Sequence, residues 1–243
     1  MVTKLSVNIN KLATLRNARG KNNPDVLKTT LDIISYGAQG ITVHPRPDER
    51  HIRRKDVYEI ASAISVELNI EGYPDKKFLE LVKEIKPTQC TLVPDPPHVL
   101  TSNAGWSIEK NSVFLQKTVE ELHELGIRTA LFLDPYNFSD KEREMLPLIG
   151  TDRVELYTEK YAETYGTSQS PEVLAVYKNT AMMIHQLGIE LNAGHDLDLA
   201  NLRLFVKEIP VIKEVSIGHA LICDALQYGL KETVRRYLGC VGD

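Results

Sequence analysis

The stretch VELNIEGYPDKKFLELVKEI, from Val66 to Ile85, carries the pattern that decides the fold. Val66–Ile70 is a short run rich in β-branched residues and leucine, and it leads through Glu71 to Pro74-Asp75, a pair suited to a first helical turn. The amphipathic segment Asp75–Ile85 follows, so the unit reads as a strand and then a helix. Working outward, the same unit recurs. Strands are expected at Leu5–Ile9, Gly40–Val43, Val66–Ile70, Gln89–Val93, Thr129–Leu133, Arg153–Leu156, Glu190–Asn192 and Glu214–Ile217, short and covered on both sides. Between them, helices are expected at Pro24–Tyr36, Lys55–Ala63, Asp75–Ile85, Lys110–Leu125, Ser139–Leu148, Pro171–Leu187, Leu197–Lys207 and Ala220–Leu238. Eight units in 243 residues come to about 30 residues each, the spacing of a closed (β/α)8 TIM barrel. A doubly wound open sheet is the structural alternative. The reading is therefore α/β, with residues 1–243 forming a single catalytic barrel domain that carries a few extra short helices or loop insertions.

Local punctuation agrees. Asn23 before Pro24, Pro74-Asp75, and Ser170 before Pro171 are start signals, while Gly37, Gly126 and Gly188 suit left-handed positions at helix ends. The longest irregular segment, Pro94–Ser107, is rich in proline, and a loop of that length suits a lid.

Composition narrows the function. The chain is 42% hydrophobic and 26% charged, with 14 glycines and 12 prolines, which excludes disordered and fibrous classes. With 29 Lys+Arg against 33 Asp+Glu the net charge is -4, so nothing draws it generally to nucleic acid or to an anionic membrane. Three scattered cysteines, Cys90, Cys223 and Cys240, form neither a disulfide framework nor a zinc pattern and point to a reducing cytoplasm. The N-terminal residues lack a long apolar core, and no apolar run is long enough to span a bilayer, so neither export nor anchoring is expected.

In a barrel of this kind the chemistry sits where the strands end. There the first strand runs into Asn8, Asn10 and Lys11, the second into His44 and Arg46, and the third into Asn69 and Glu71. The sixth carries Glu155, the seventh ends Asn192-Ala-Gly-His195-Asp196, and the eighth ends Gly218-His219. A lone histidine or glutamate is more often structural than catalytic, but their convergence at equivalent positions shifts the balance. Gly194 and Gly218 suit close approach of backbone N–H groups to a phosphate. The segments Arg16–Gly20 and His44–His51 supply a second, cationic cluster, since arginine can grip phosphate bidentately.

These residues lie in blocks that resemble one family. NxNxxATLRNARG at Asn8–Gly20, GITVHPRPDERHI at Gly40–Ile52, NIEG at Asn69–Gly72, VELYTxxYA at Val154–Ala162, NAGHDL at Asn192–Leu197 and SIGHA at Ser216–Ala220 resemble the pyridoxine 5′-phosphate synthases of vitamin B6 biosynthesis. The resemblance implies a barrel enzyme that condenses 3-amino-2-oxopropyl phosphate with 1-deoxy-D-xylulose 5-phosphate, giving pyridoxine 5′-phosphate, inorganic phosphate and water, with no metal and no organic cofactor. It implies general acid or base roles for His44 and Glu71, proton donation by His195, and stabilisation of developing positive charge by Glu155. It assigns the aminoketone phosphate to Asn8, the backbone after His195 and Gly218-His219, and the deoxyxylulose phosphate to Arg19, Arg46, His51 and Thr101. It further implies a cytoplasmic homo-oligomer, commonly an octamer built from dimers, in which the first-loop arginine reaches a neighbouring site.

Two departures stand out. Asn10-Lys11 replaces the family's usual Asp-His, so Asn10 is expected to bond substrate hydroxyls and Lys11 to replace the imidazole as donor or phosphate partner. Asp196 replaces glycine and is expected to cap a helix beginning near Leu197. Lys11 also keeps open a Schiff-base aldolase or another phosphosugar isomerase barrel, and a non-catalytic phosphometabolite sensor is the alternative outside enzymes.

Overall fold

In the computed structural model, which describes residues 2–94 and 104–242, eight parallel strands close into a barrel in sequential order, β1 pairing with β8. The strands are β1 (Lys4–Asn8), β2 (Gly40–Val43), β3 (Glu67–Gly72), β4 (Gln89–Leu92), β5 (Arg128–Leu133), β6 (Arg153–Tyr157), β7 (Glu190–Gly194) and β8 (Ile212–Ile217). The principal outer helices are α2 (Val26–Ser35), α3 (Arg54–Ala63), α4 (Lys76–Ile85), α5 (Ile108–His123), α6 (Asp140–Ile149), α8 (Ser170–Gln186) and α9 (Leu202–Glu208). Closure rules out the open sheet.

Several boundaries differ from expectation. The sequence reading lacked α1 (Asn10–Asn17) and α7 (Glu159–Thr164), short helices directly after β1 and β6. The stretch read as one helix, Ala220–Leu238, is two, α10 (His219–Tyr228) and α11 (Leu230–Val241), because Gly229 takes φ +76 and breaks the run. The helix expected from Leu197 begins only at Leu202. Of the start signals, Asp75 caps α4 by accepting the Phe78 N–H at 2.9 Å. For α2, however, the capping oxygen belongs to Asp25, accepting from Lys28 N–H at 2.9 Å, and α8 has no side-chain cap. Gly37, Gly126 and Gly188 do take positive φ.

The apolar core lies between sheet and helices. Leu5, Val7, Ile41, Val43, Leu68, Ile70, Leu92, Leu131, Val154, Leu156, Val215 and Ile217 point outward and are buried under the helix ring. Each contributes about 1.5–3 kcal/mol of burial. The strands are buried on both faces, as expected, but the inner face differs in character. The lumen is polar, with Ser6, Thr42, Asn69, Gln89, Thr91, Arg153, Glu155, Asn192, Glu214 and Ser216 all buried. Hydrogen bonds offset the burial cost: Ser6 meets Thr42 at 2.8 Å, Thr91 donates to Asn69 at 2.9 Å, and Arg153 donates to Gln89 at 3.2 Å. At the lower rim Glu67 joins Lys4 and Arg128, and Arg153 pairs with Glu190 at 2.9 Å.

Candidate active site

A cavity of about 660 Å³ opens at the carboxyl ends of the strands. It takes in Asn8, Asn10, Lys11, His44, Arg46, His51, Glu71, Glu155, His195, Asp196, Gly218 and His219. Thus six strands deliver the expected side chains to one cup. Arg19 is exposed beyond the end of α1 and is not part of this lining. Thr101, and most of the loop read as a lid, lie outside the described residues.

The β1 end fixes the β2 end. Asn8 Oδ1 accepts the Asn10 N–H at 3.1 Å, and Asn10 Oδ1 accepts the His44 N–H at 2.9 Å. Asn10 therefore commits its carbonyl to holding His44, leaving its NH2 group to meet a ligand, a narrower role than the one expected from sequence. Asn8 Nδ2 also reaches Glu71 Oε2 at 3.4 Å, so two amides, Asn8 and Asn10, link three strand ends.

His44 is buried, which pushes its pKa well below the usual imidazole value, with Arg46, His51 and Arg50 adding repulsion of a proton. It stands neutral and able to accept a proton. His51 is lowered to about 4, by burial first and then by Arg46, Lys11 and Arg50. Its Nδ1 accepts the Ile52 N–H at 2.9 Å, so the neutral ring carries its proton on Nε2. His51 offers an N–H donor rather than the cation of the expected cluster. Arg16 leaves that cluster altogether, since it is buried against Asp56 at 2.6 Å and ties α1 to α3. Lys11 is exposed on the first turn of α1, without the burial on which nucleophilic lysines rely.

On the opposite wall, His195 and Asp196 take φ of +78 and +60. Thr158 holds this unusual turn by donating to the carbonyls of Gly194 (2.7 Å) and His195. His195 packs edge-on to Tyr157 at 5.0 Å and shares a hydrogen bond between its Nδ1 and Asp196 Oδ2 at 2.5 Å. That bond holds the Asp196 carboxyl below its ordinary pKa. Asp196 therefore orients His195, and the expected helix cap is not formed. Gly194 also has another use than the expected phosphate approach. A Cβ there would lie 2.4 Å from Glu155 Oε1, so the missing side chain makes room for that carboxyl.

Glu155 is 2% exposed, and burial, then Glu214, raises its pKa out of the carboxylate range, with Thr91 opposing through a hydrogen bond. A group expected to act as an anion is thus biased toward its neutral form. Val93, Phe132 and Tyr157 form an apolar patch beside it. These three, with Thr158, Glu159 and Ser216, were not among the residues expected at the site, whereas Arg50 lines it as part of the expected His44–His51 cluster. Tyr157, two positions after Glu155 on the same strand face, could have been found by the period of two.

A closed barrel whose strand ends gather proton-transfer groups beside arginine and an amide-rich helix start defines a TIM-barrel enzyme of phosphorylated metabolites. Residues 5–243 match the family model described as pyridoxal phosphate biosynthesis protein PdxJ. The chain is 55% identical over 237 residues to a protein of Porphyromonas gingivalis named pyridoxine 5′-phosphate synthase, covering 97% of this chain and 98% of that one. To a protein of Phocaeicola vulgatus with the same name it is 54% identical over 242 residues, covering 99% of each. The chain belongs to the pyridoxine 5′-phosphate synthase (PdxJ) family. Among solved structures, N-(5′-phosphoribosyl)anthranilate isomerase from Pyrococcus furiosus matches with a TM-score of 0.59 at 14% identity, over 98% of both chains. A protein of Aquifex aeolicus matches at 0.67 and 12%, over 100% of this chain and 94% of that one. At such identities these two likenesses speak to the fold alone.

Proposed function

We propose that the chain is a pyridoxine 5′-phosphate synthase that joins 3-amino-2-oxopropyl phosphate to 1-deoxy-D-xylulose 5-phosphate and releases inorganic phosphate and water. The observation that carries this is the gathering of His44, Glu71, Glu155 and His195 around one cavity that also takes in Arg46 and His51 after β2 and Gly218 and His219 after β8. Ring closure needs an amine to meet a ketone, a carbon–carbon bond to form, and water and phosphate to leave. Several proton transfers must therefore share one pocket.

On the β8 side, Gly218 precedes α10, whose opening N–H groups and dipole suit the aminoketone phosphate, with Asn8 and His219 beside it. A Cβ on Gly218 would meet Asn8 at 3.1 Å, so glycine keeps that corner open. On the β2 side, Arg46 and the His51 Nε2–H serve the sugar phosphate, Lys11 and Thr101 assisting. Glu71 and the neutral His44 take protons from the condensing carbons. His195, oriented by Asp196, returns one to the departing oxygen. Glu155, neutral at rest, ionises when a cationic nitrogen develops beside it, because a nearby positive charge favours the carboxylate.

We also propose a homo-oligomer, an octamer assembled from dimers, in which Arg19 serves a neighbouring cup. Its exposure outside the cavity of its own barrel supports this. A cytoplasmic setting is supported by three unpaired cysteines, Cys90 and Cys240 buried and Cys223 exposed. No helix among the described residues is long and apolar enough to cross a membrane.

Mixing the two phosphorylated substrates with the protein tests the reaction. Pyridoxine 5′-phosphate absorbance growing in step with free phosphate is expected. Tight binding of both without either product would instead make the protein a sensor.

A further inference from the structure

Three neighbouring strands place Glu155, Asn192 and Glu214 side by side in the lumen. Glu155 on β6 is in register with Asn192 on β7, and Asn192 with Glu214 on β8. Residues in register on parallel strands face the same way, and all are buried, at 2%, 1% and 3% exposure. The last pairing depends on an irregularity. Leu191 pairs with Ile212 but Asn192 with Glu214, so β8 carries one extra residue, Lys213, and the shift turns Glu214 inward beside the amide.

Two atoms in this layer have no hydrogen-bond partner among the described residues, Glu155 Oε2 and Asn192 Oδ1. Both accept when Glu155 is ionised, and two buried acceptors without a protein donor are costly. One proton on Glu155 resolves it, since its O–H can then donate to Asn192 Oδ1. Glu214, in register with Asn192, faces Arg153 at 4.0 Å and is the better placed of the two carboxyls to hold charge.

We propose that Asn192 is a positioning residue whose side-chain amide bridges Glu155 and Glu214, and that the two carboxyls hold one proton between them in the free enzyme, carried by Glu155. Burial raises both carboxyls, and Glu214 rises to about 7 despite Arg153. Below the layer, the charged groups are Arg153 itself with Glu190 and Lys213, and Glu67, Arg128 and Lys4. Above it, Glu71 from β3, His195 and Asp196 from β7, His44, Arg46, Arg50 and His51 after β2, Lys11 from α1, Glu159 from α7 and His219 from α10 face the cup. From β4 and β5 the facing groups are Thr91 and Phe132, which do not titrate there. The consequence is that Glu155 adds no negative charge while two phosphate dianions load. That use of the bridge rests on the proposed reaction, whereas the bridge itself is a property of the substrate-free protein.

Infrared difference spectroscopy of the substrate-free enzyme across a pH titration tests it. The expected result is a carboxylic-acid carbonyl band at neutral pH that Glu155→Gln removes. Asn192→Ala should shift that band and lower its titration midpoint, and Glu214→Gln should lower the midpoint by about one unit or more by removing the neighbouring charge. Asn192→Ser serves if the alanine variant does not fold, with the same shift expected. Absence of a band sensitive to Glu155→Gln, or a band and midpoint indifferent to position 192, would overturn the proposal. Because no substrate is present, such a failure leaves the synthase reading intact, and a failed synthase assay leaves the band unchanged.

Discussion

Glu155 and Glu214 bring an acidic burden into the barrel that Arg153 offsets in part and protonation relieves. Their folded pKa values lie above the unfolded value of about 4.3, so the stability they permit is fully present below that value. It is lost as pH rises through about 7 for Glu214 and higher still for Glu155. Glu155→Gln should therefore melt above the wild type at about pH 9, and the gap should close near about pH 5. A gap that does not vary with pH would contradict the buried-acid account. Glu71→Gln keeps shape but cannot accept a proton, so kcat should fall roughly 10²–10⁴-fold with KM little changed. An unaltered kcat would remove Glu71 from the base role. At this scale the sequence was informative about which groups reach the cup, because position at a strand end determines that. It said little about their charge. The neutral states of His51 and Glu155 arise from burial and from neighbours on other strands, and the Asp196–His195 bond from a left-handed turn that no spacing announces.

Elements were legible where hydrogen-bonding partners are local and obscure where they are not. Asp75 before an amphipathic run marks α4 correctly, whereas α1 lies over the motif residues Asn10–Asn17, whose polarity reads as a site segment. Arg16 anchors that helix through Asp56, a contact 40 residues away. Two glycines separate packing from chemistry. At Gly105 a Cβ would lie 2.1 Å from the Asp134 backbone nitrogen, and backbone cannot step aside. Gly105→Ala should cost about 1–3 kcal/mol, seen as a lower Tm. At Gly194 the obstructed atom is the Glu155 carboxyl, a side chain that can swing. Gly194→Ala should chiefly reduce kcat, by displacing Glu155. If its melting temperature falls while kcat holds, Gly194 serves packing alone.

At the scale of the whole molecule, the repeating strand–helix spacing was enough to reach a closed barrel, because eight units of that length have few other ways to bury their apolar faces. The polar lumen was not anticipated, since single inward residues such as Asn69, Thr91 and Asn192 look like interruptions of short apolar runs until register aligns them. Assembly lies further from the sequence. If Arg19 completes a neighbouring cup, Arg19→Ala and His195→Ala chains, each inactive alone, should regain activity when co-expressed, as mixed oligomers contain some intact sites. No recovery would confine each site to its own chain. The central claim, one cup with two anion subsites, is tested most directly by an experimental structure with both substrate phosphates bound. One phosphate is predicted at Gly218-His219 and the other at Arg46 and His51, with the reacting carbons between His44, Glu71 and His195. Phosphates bound elsewhere, or both on one wall, would contradict it.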